Sequence, residues 1–352
     1  MSVAPIDLRT PRWYQVPRLA SSAYAVAAVG LLVAGCSAPT ASAPASSQSL
    51  SPSTSAPVTS PGGTPMMTFT SSIAPFKLPA AVSRPTVFAA AGGLLVVGGL
   101  TAADSTTQAI LSVDLARGTV NPAGQLPVPV HDAAGAVVNG RNLLFGGGST
   151  AVSSAVQDVT PGTPPRVVNH LPQPLADLVA ISEGKAGYVL GGFDGTQGST
   201  TVLRTTDGRT FTVVGTIPVS VRYPAVASGG GSIWLFGGEH AGTQITDVQR
   251  VYLTTGHGSV AGHLPRPLAH AGALTLGGTI FVAGGRTGAT ATDIVMRFNP
   301  AGVTFTVAGH LPAARSDFGA AVVGDTAYLV GGESPRPVDT VIQARAHVGG
   351  TP

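Results

Sequence analysis

The residue types best suited to chemistry in this sequence lie at fixed distances before or just after repeated pairs of glycines. Arginine, histidine and carboxylate side chains at such positions could hold a sugar or a carboxylate through charge-assisted hydrogen bonds. The candidates for one ligand-binding face are Arg222, Tyr223, Glu239, His270, Arg286, Arg315, Asp317 and Glu333. No catalytic role is assigned to any of them. The alternative interpretation is that polar residues at strand ends simply face water.

Six glycine pairs, each preceded by an apolar run, define the elements that position these side chains. The pairs end at Gly99, Gly147, Gly192, Gly238, Gly285 and Gly332. A Leu-Pro or Ile-Pro dipeptide precedes every pair by one fixed offset, in Leu78-Pro79, Leu126-Pro127, Leu171-Pro172, Ile217-Pro218, Leu264-Pro265 and Leu311-Pro312. Two markers that keep one offset through all copies indicate a repeated structural unit.

Each unit is interpreted as four short strands. Small residues precede the apolar run, which suits a strand crowded against a central axis. Asn139-Gly140, Gly277-Gly278 and Gly324-Asp325 separate the first two strands and favour tight hairpin turns with positive φ. The segment from Met67 is predicted to be the fourth strand of a blade, but no first, second or third strand precedes it. The last repeat has only its first three strands. We therefore expect the N-terminal strand to complete the C-terminal blade and close a ring. An open solenoid is the alternative, although its ends would need capping units.

Strand direction predicts where the polar residues meet. The first strand runs away from one face and the second returns to it, so the start of one and the end of the other share a face. Residues before the first strands are Arg84, Asp132, Asp177, Tyr223, His270 and Asp317. Residues after the glycine pairs are Leu100, Gly148, Phe193, Glu239, Arg286 and Glu333. We expect both sets to rim one mouth of a central channel.

The glycine pairs and their spacing resemble the kelch repeat over roughly residues 67–348. The resemblance implies an all-β fold, a six-bladed kelch-type β-propeller over residues 66–348, closed by the N-terminal strand. The tyrosine and tryptophan that follow the glycine pair in typical kelch units are mostly missing here.

The start of the chain carries a different signal. Three arginines and one aspartate precede an uncharged apolar segment that ends at Cys36, the only cysteine. Val33-Ala34-Gly35-Cys36 resembles the lipobox of bacterial lipoproteins. The resemblance implies that residues 1–35 are a signal peptide and that Cys36 carries the lipid, on the extracytoplasmic side of a bacterial cell membrane. An uncleaved anchor helix with an incidental cysteine is the alternative.

Residues 36–65 are rich in Ser, Thr, Pro and Ala and lack charge, which predicts a disordered tether. Loss of residues 1–35 would lower the formal charge from the +3 of the full chain, because more arginine than aspartate is removed. The rest of the chain is nearly neutral and lacks the basic surface that binds phosphate groups, so nucleic acid is not an expected partner. We expect a monomer.

Two functions remain open. The sequence holds no phosphate loop, HExxH, GxSxG or CxxC motif, so no metal or cofactor is predicted. One hypothesis is a lipid-anchored binding module for a glycan, a peptide or a cell-envelope protein. The other is an extracytoplasmic carbohydrate-acting enzyme, because an exported six-bladed kelch-type ring is similar to bacterial sialate mutarotases. Copper chemistry of the galactose oxidase type is rejected, since it needs a cysteine in the site.

Overall fold

Short apolar runs between glycine-rich turns make this chain fold as strands. A computed structural model describes residues 67–348, and within that range the chain forms strands β1 to β30 and no helix. No helix that could cross a membrane is therefore found among these residues. Cys36, the predicted signal peptide and the tether lie outside the described residues.

Six four-stranded antiparallel sheets, the blades, account for most strands. The innermost strands are β3 Thr86–Ala90, β8 Ala134–Val138, β12 Ala176–Glu183, β16 Ala225–Gly229, β22 Gly272–Leu276 and β28 Gly319–Val323. The second strands are β4 Gly93–Val97, β9 Arg141–Phe145, β13 Ala186–Phe193, β17 Ser232–Phe236, β23 Thr279–Ala283 and β29 Thr326–Val330. These pairs open blades 1 to 6 in chain order.

The third strands are β6 Ala109–Asp114, β10 Ala155–Asp158, β14 Thr201–Thr205, β20 Asp247–Tyr252, β26 Ile294–Asn299 and β30 Thr340–Val348. The outer strands are β7 Thr119–Gln125, β11 Arg166–His170, β15 Thr212–Thr216, β21 Gly258–His263, β27 Thr304–His310 and β1 Met67–Lys77. Two two-stranded ribbons extend the loops after glycine pairs, β18 Glu239–His240 with β19 Thr243–Gln244 and β24 Arg286–Thr287 with β25 Thr290–Ala291. In blade 1, β5 Leu100–Thr101 after the glycine pair instead pairs with β2 Val82–Ser83, which precedes the innermost strand.

The N-terminal strand closes the ring, as predicted. β1 pairs antiparallel with β30, from Met67 opposite Val348 to Ile73 opposite Ile342. Blade 6 is thus built from both ends of the described chain. The innermost strands of neighbouring blades contact one another all the way round, including β28 with β3. The solenoid alternative is therefore wrong.

Apolar side chains pack between blades rather than in one common core. Six clusters of buried residues lie one at each blade interface, because each apolar second strand has neighbours on both of its faces. Between blades 4 and 5, for example, Trp234 packs edge-on against Phe298 with ring centroids 4.9 Å apart.

The Leu/Ile-Pro marker and the hairpin turns have local roles. Each Leu or Ile of the marker is buried, and its N–H donates to the carbonyl just before the third strand of its blade, over 2.7–2.8 Å. Positive φ occurs at both residues of the Asn139-Gly140 and Gly277-Gly278 turns, as predicted. The Gly324-Asp325 turn is also a two-residue hairpin, between the paired residues Val323 and Thr326, and has positive φ at Gly324 only, as hairpins with glycine first allow.

Both glycines of every pair adopt positive φ, 59–65° at the first and 89–106° at the second. The chain there passes close to the backbone of the segment before the first strand. A Cβ on Gly238 would lie 2.7 Å from the carbonyl oxygen of Arg222. Glycine is required for both its conformational freedom and its small size.

We expect Gly238→Ala to lower the free energy of unfolding by about 1–3 kcal/mol, because it adds backbone strain and a clash. Urea unfolding followed by circular dichroism measures the change. Gly302→Ala is the control, since a Cβ there meets nothing closer than 3.6 Å. Equal midpoints for the two variants would show that the glycine pair is not needed for the turn.

Candidate functional site

A ring of strained residues surrounds one end of the central channel. One residue at the start of each innermost strand has positive φ, between 52° and 59°, although none of the six is glycine. It lies two positions before the strand in five blades and is the second residue of β12 in blade 3. We call this set the collar: Arg84, Asp132, Asp177, Tyr223, His270 and Asp317. The left-handed conformation costs roughly 1–2 kcal/mol per residue. Strained backbone of this kind concentrates at functional sites, which makes the collar a candidate site.

Backbone hydrogen bonds join the collar from blade to blade. The N–H of Asp177 donates to the carbonyl of Asp132, and the same link is repeated around the ring, at 2.6–3.1 Å in five of the six steps. Closing the propeller brings these residues together, so the ring of blades fixes the left-handed backbone of each collar residue.

The residues that follow the glycine pairs reach the same mouth, in agreement with the strand directions. Isolated β-bridges pair Arg222 with Glu239, Ala269 with Arg286 and Ser316 with Glu333. Each bridge sets a charged side chain of the second set beside a collar residue. The structure thereby brings seven of the eight candidates together: Arg222, Tyr223, Glu239, His270, Arg286, Asp317 and Glu333.

Arg315 does not join them. Its side chain is 2 % exposed and donates to the carbonyl of Gly331, over 2.7 Å, and to the hydroxyl of Thr340, over 3.0 Å. These contacts tie the loop before blade 6 to the strands of that blade. Arg315 therefore has a structural position, away from the other seven candidates.

Asp317 is the centre of the charged network. Its buried carboxylate accepts from His270 Nδ1 at 2.6 Å and from Ser316 Oγ at 2.7 Å, and it pairs with Arg286. Arg84 Nε lies 3.4 Å away. Burial alone would raise the pKa of Asp317, but the charges of His270 and the two arginines outweigh burial and hold the pKa below its usual value.

His270 is held between two carboxylates. Its other nitrogen, Nε2, lies 3.2 Å from Glu239 Oε1, and its ring stacks on Tyr223 with centroids 4.0 Å apart. Burial favours the neutral ring, yet Asp317 and Glu239 reverse this effect and raise the pKa of His270. The geometry suits an imidazolium that donates both of its N–H groups.

The opposite side of the mouth holds a carboxylate that the candidate set omitted. Asp177 is fully buried and accepts from Arg222 Nε at 2.6 Å, while Arg222 also lies over the ring of Phe193 at 4.6 Å. Burial, and then the charge of Asp132, raise the pKa of Asp177 to about 7. The sequence places Asp177 at the same repeat position as the other collar residues, and this position could have identified it as a candidate. The sequence does not show that its carboxylate is buried.

The raised pKa of Asp177 should make the stability of the fold depend on pH. A carboxyl whose pKa is higher in the folded state stabilises the fold while protonated, and this stabilisation is lost as pH rises through the folded pKa. The free energy of unfolding should therefore fall between pH 4 and 7, by up to about 1.4 kcal/mol per pH unit. Asp177→Asn, which stays neutral, should flatten this slope in urea titrations. A slope unchanged by the substitution would contradict the assignment.

The charged groups form two layers at the mouth. Side chains of Asp132, Asp177 and Asp317 are 5 % exposed or less, whereas Arg84, Arg222, Arg286, Glu239 and Glu333 are 16–23 % exposed. Buried aspartates thus hold arginines whose outer edges face solvent beside two glutamates. Such a surface can donate to and accept from the hydroxyl, amide or carboxylate groups of a ligand.

The mouth is shallow. The collar lines a cavity of only about 130 Å³. A larger cleft, about 900 Å³, lies between blades 1 and 2, away from the collar. The charged network therefore presents a surface to a ligand rather than a deep pocket.

Three histidines that share one repeat register lie in three different blades, apart from the mouth. His263 pairs with Asp247 at 3.2 Å and His310 with Asp293 at 3.1 Å, while His170 contacts Ser154 at 3.1 Å. Each contact stays within one blade. Within residues 67–348, no group of three or more histidine, cysteine or acidic side chains is arranged to hold a metal ion.

Comparisons with known proteins agree with this architecture. Residues 267–309 match the Kelch motif, which places blade 5 in that repeat class. Among solved structures, the chain is similar to the structure of YjhT, with a TM-score of 0.66 and 16 % identity, over 78 % of this chain and 99 % of that one. No curated protein matches the sequence significantly. With 576 matching structural chains, the likeness describes a widespread fold and not a function. Residues 67–348 form a six-bladed β-propeller whose fifth blade matches the Kelch motif.

Proposed function

We propose that the protein is a lipid-anchored, extracytoplasmic binding module whose charged mouth holds a glycan, a peptide or a cell-envelope protein. The observation that carries the proposal is the strained collar with its two layers of charge. Buried ion pairs and left-handed residues tend to lower the stability of a fold, and this propeller has both at one end of the channel.

The path of β1 supports an anchored arrangement. The methyl group of Met67 lies against Gly277 in the hairpin turn of blade 5, on the face opposite the mouth. β1 then crosses the blade and ends at the mouth side, where the N–H of Leu78 donates to the carbonyl of Asp339 at 2.8 Å. The preceding chain therefore joins the propeller at the hairpin face. Attachment through Cys36 would leave the mouth unobstructed.

A binding screen tests the proposed face. The chain is screened against glycans and cell-envelope fractions together with Arg286→Ala and Glu333→Ala. We expect both substitutions to weaken capture at least tenfold, because each removes a solvent-facing charge. Arg117→Ala is the matched control, since this arginine is exposed and pairs with Asp114 away from the mouth. Capture that is equal in all four proteins would remove the mouth from the proposal.

A separate experiment addresses the anchor. Processing of the precursor in bacteria should stop in the presence of globomycin, which inhibits the lipoprotein signal peptidase. A Cys36→Ser chain should show no lipid attachment by mass spectrometry. Normal processing under globomycin would contradict the lipid anchor.

One observation favours the enzyme alternative. Glu333 lies 3.7 Å from Arg286 at the exposed rim, and burial and the charge of Asp317 raise the pKa of Glu333. A carboxyl with raised pKa beside an arginine suits proton transfer to a sugar held by its carboxylate. Anomer exchange of sialic acid and other reducing sugars, followed by NMR, tests this function. Exchange no faster than in buffer, or equally fast with Glu333→Gln, would exclude it.

A further inference from the structure

The cleft between blades 1 and 2 lies on the hairpin face, opposite the mouth. Its lining includes the turn residues Gly92 and Gly140 and the loop residue Pro161. Aliphatic side chains, among them Leu95 and Ile110, cover much of its wall. At about 900 Å³ the cleft has the size of a small-molecule site.

A departure from the repeat opens this cleft. The residue three before the glycine pair faces the next blade, and it is aromatic in blades 3 to 6, namely Tyr188, Trp234, Phe281 and Tyr328. Blades 1 and 2 have leucine there, Leu95 and Leu143. Blade 3 compensates for the smaller Leu143 by packing Phe211 and the Gly208 turn against the blade 2 side. Beside Leu95, the space that an aromatic ring fills in blades 3 to 6 is part of the cleft.

A second departure from the repeat faces the same space. The residue four before the glycine pair is aliphatic or glycine in the other blades, as in Leu94 and Ile233, but blade 2 has Asn142. Asn142 lines the cleft and is only 6 % exposed. Among the described residues its backbone is hydrogen-bonded, yet its side-chain amide has no hydrogen-bond partner. The amide is not fully enclosed by protein atoms, so it is open to the cleft and can hydrogen-bond to a ligand there.

We propose that the cleft between blades 1 and 2 binds a small apolar molecule that carries an amide group, with Asn142 as its hydrogen-bonding partner. An asparagine amide both donates and accepts in one plane, and another amide complements it with two hydrogen bonds. The charged lining residues Asp114 and Arg117 pair with each other at 2.6 Å, which favours a neutral ligand. This site is separate from the mouth and does not depend on the function proposed there.

Fluorine NMR with 4-fluorobenzamide tests the site. The probe is titrated with the full chain in detergent, and detergent alone gives the background. We expect binding in the millimolar range, and weaker binding of 4-fluoro-N,N-dimethylbenzamide, which cannot donate. Leu95→Phe restores the ring that Phe281 provides in blade 5 and should weaken binding of 4-fluorobenzamide at least tenfold. Asn142→Leu, which copies Leu94, should weaken it about fivefold and abolish the preference between the two probes.

Val213→Phe controls for an added aromatic ring, because Val213 is 63 % exposed on the outer strand of blade 3. It should bind the probe as the unchanged chain does. Melting temperatures confirm that each variant folds, and Asn142→Leu tests the site if Leu95→Phe does not. Probe binding that is absent, or unaffected by both cleft substitutions, would overturn the proposal. Loss with Leu95→Phe but not with Asn142→Leu would overturn the amide assignment.

Discussion

Deletion of residues 1–77, and with them β1, should abolish the cooperative unfolding of the propeller. β1 is the outer strand of blade 6, and its Phe69 is 3 % exposed and packs on Phe281 with ring centroids 5.4 Å apart. Truncation of a buried phenylalanine alone costs about 3–5 kcal/mol. Total stability is roughly 5–15 kcal/mol, so loss of the whole strand removes most of it. The bare edge of β30 should also promote aggregation.

A chain that lacks only residues 1–65 is the control, because it retains β1. Thermal unfolding by circular dichroism should show one sharp transition for this control and none for the longer deletion. Phe69→Ala gives the intermediate case and should lower the melting temperature of an otherwise intact ring. Equal melting temperatures after both deletions would mean that β1 does not close the propeller.

Replacement of Asp317 by alanine should have the largest effect of any single substitution at the mouth. The buried carboxylate pairs with His270 and Arg286, and its loss leaves these two cations without their nearest counter-charge. Arg84, which is 3.4 Å from Asp317, keeps its hydrogen bond to Asp132. Breaking a buried pair in this way typically costs about 3–5 kcal/mol. Alanine also adopts positive φ less readily than aspartate or asparagine. Urea unfolding at pH 7 measures the loss.

Asp317→Asn separates the charge from the shape. Asparagine keeps the positive φ and an accepting oxygen, so it should cost less than alanine but still destabilise. Arg117→Ala is the exposed comparison, since this side chain is 79 % exposed and pairs only at the surface with Asp114, and we expect no measurable change. If Asp317→Ala were as mild as this surface substitution, the mouth would not depend on its buried charge.

The sequence was sufficient to predict the blades because glycine positions report backbone geometry directly. Gly238 adopts the conformation and close approach that its pair implied, and Ile217 is buried as one of the repeated Leu/Ile-Pro markers. The strand that closes the ring was predictable as well. The segment from Met67 is an isolated fourth strand, and the C-terminal blade is the one predicted blade that lacks a fourth strand.

The site was only partly predictable, because register gives a residue's place but not its side-chain direction. Asp317 and Arg315 are two residues apart, yet the chain turns between them and their side chains diverge. Burial of Asp177, which raises its pKa, depends on packing between blades. The cleft likewise required knowledge that the position of Leu95 faces the next blade.

The pKa of His270, measured by NMR of its ring nitrogens, tests the account most directly. The assignment follows from the signal that His270→Gln removes. The account predicts a pKa above the usual 6.5 and a lower value in Asp317→Asn, because Asp317 stabilises the imidazolium. A His270 that titrates at or below 6.5, with no response to Asp317→Asn, would contradict the charged mouth described above.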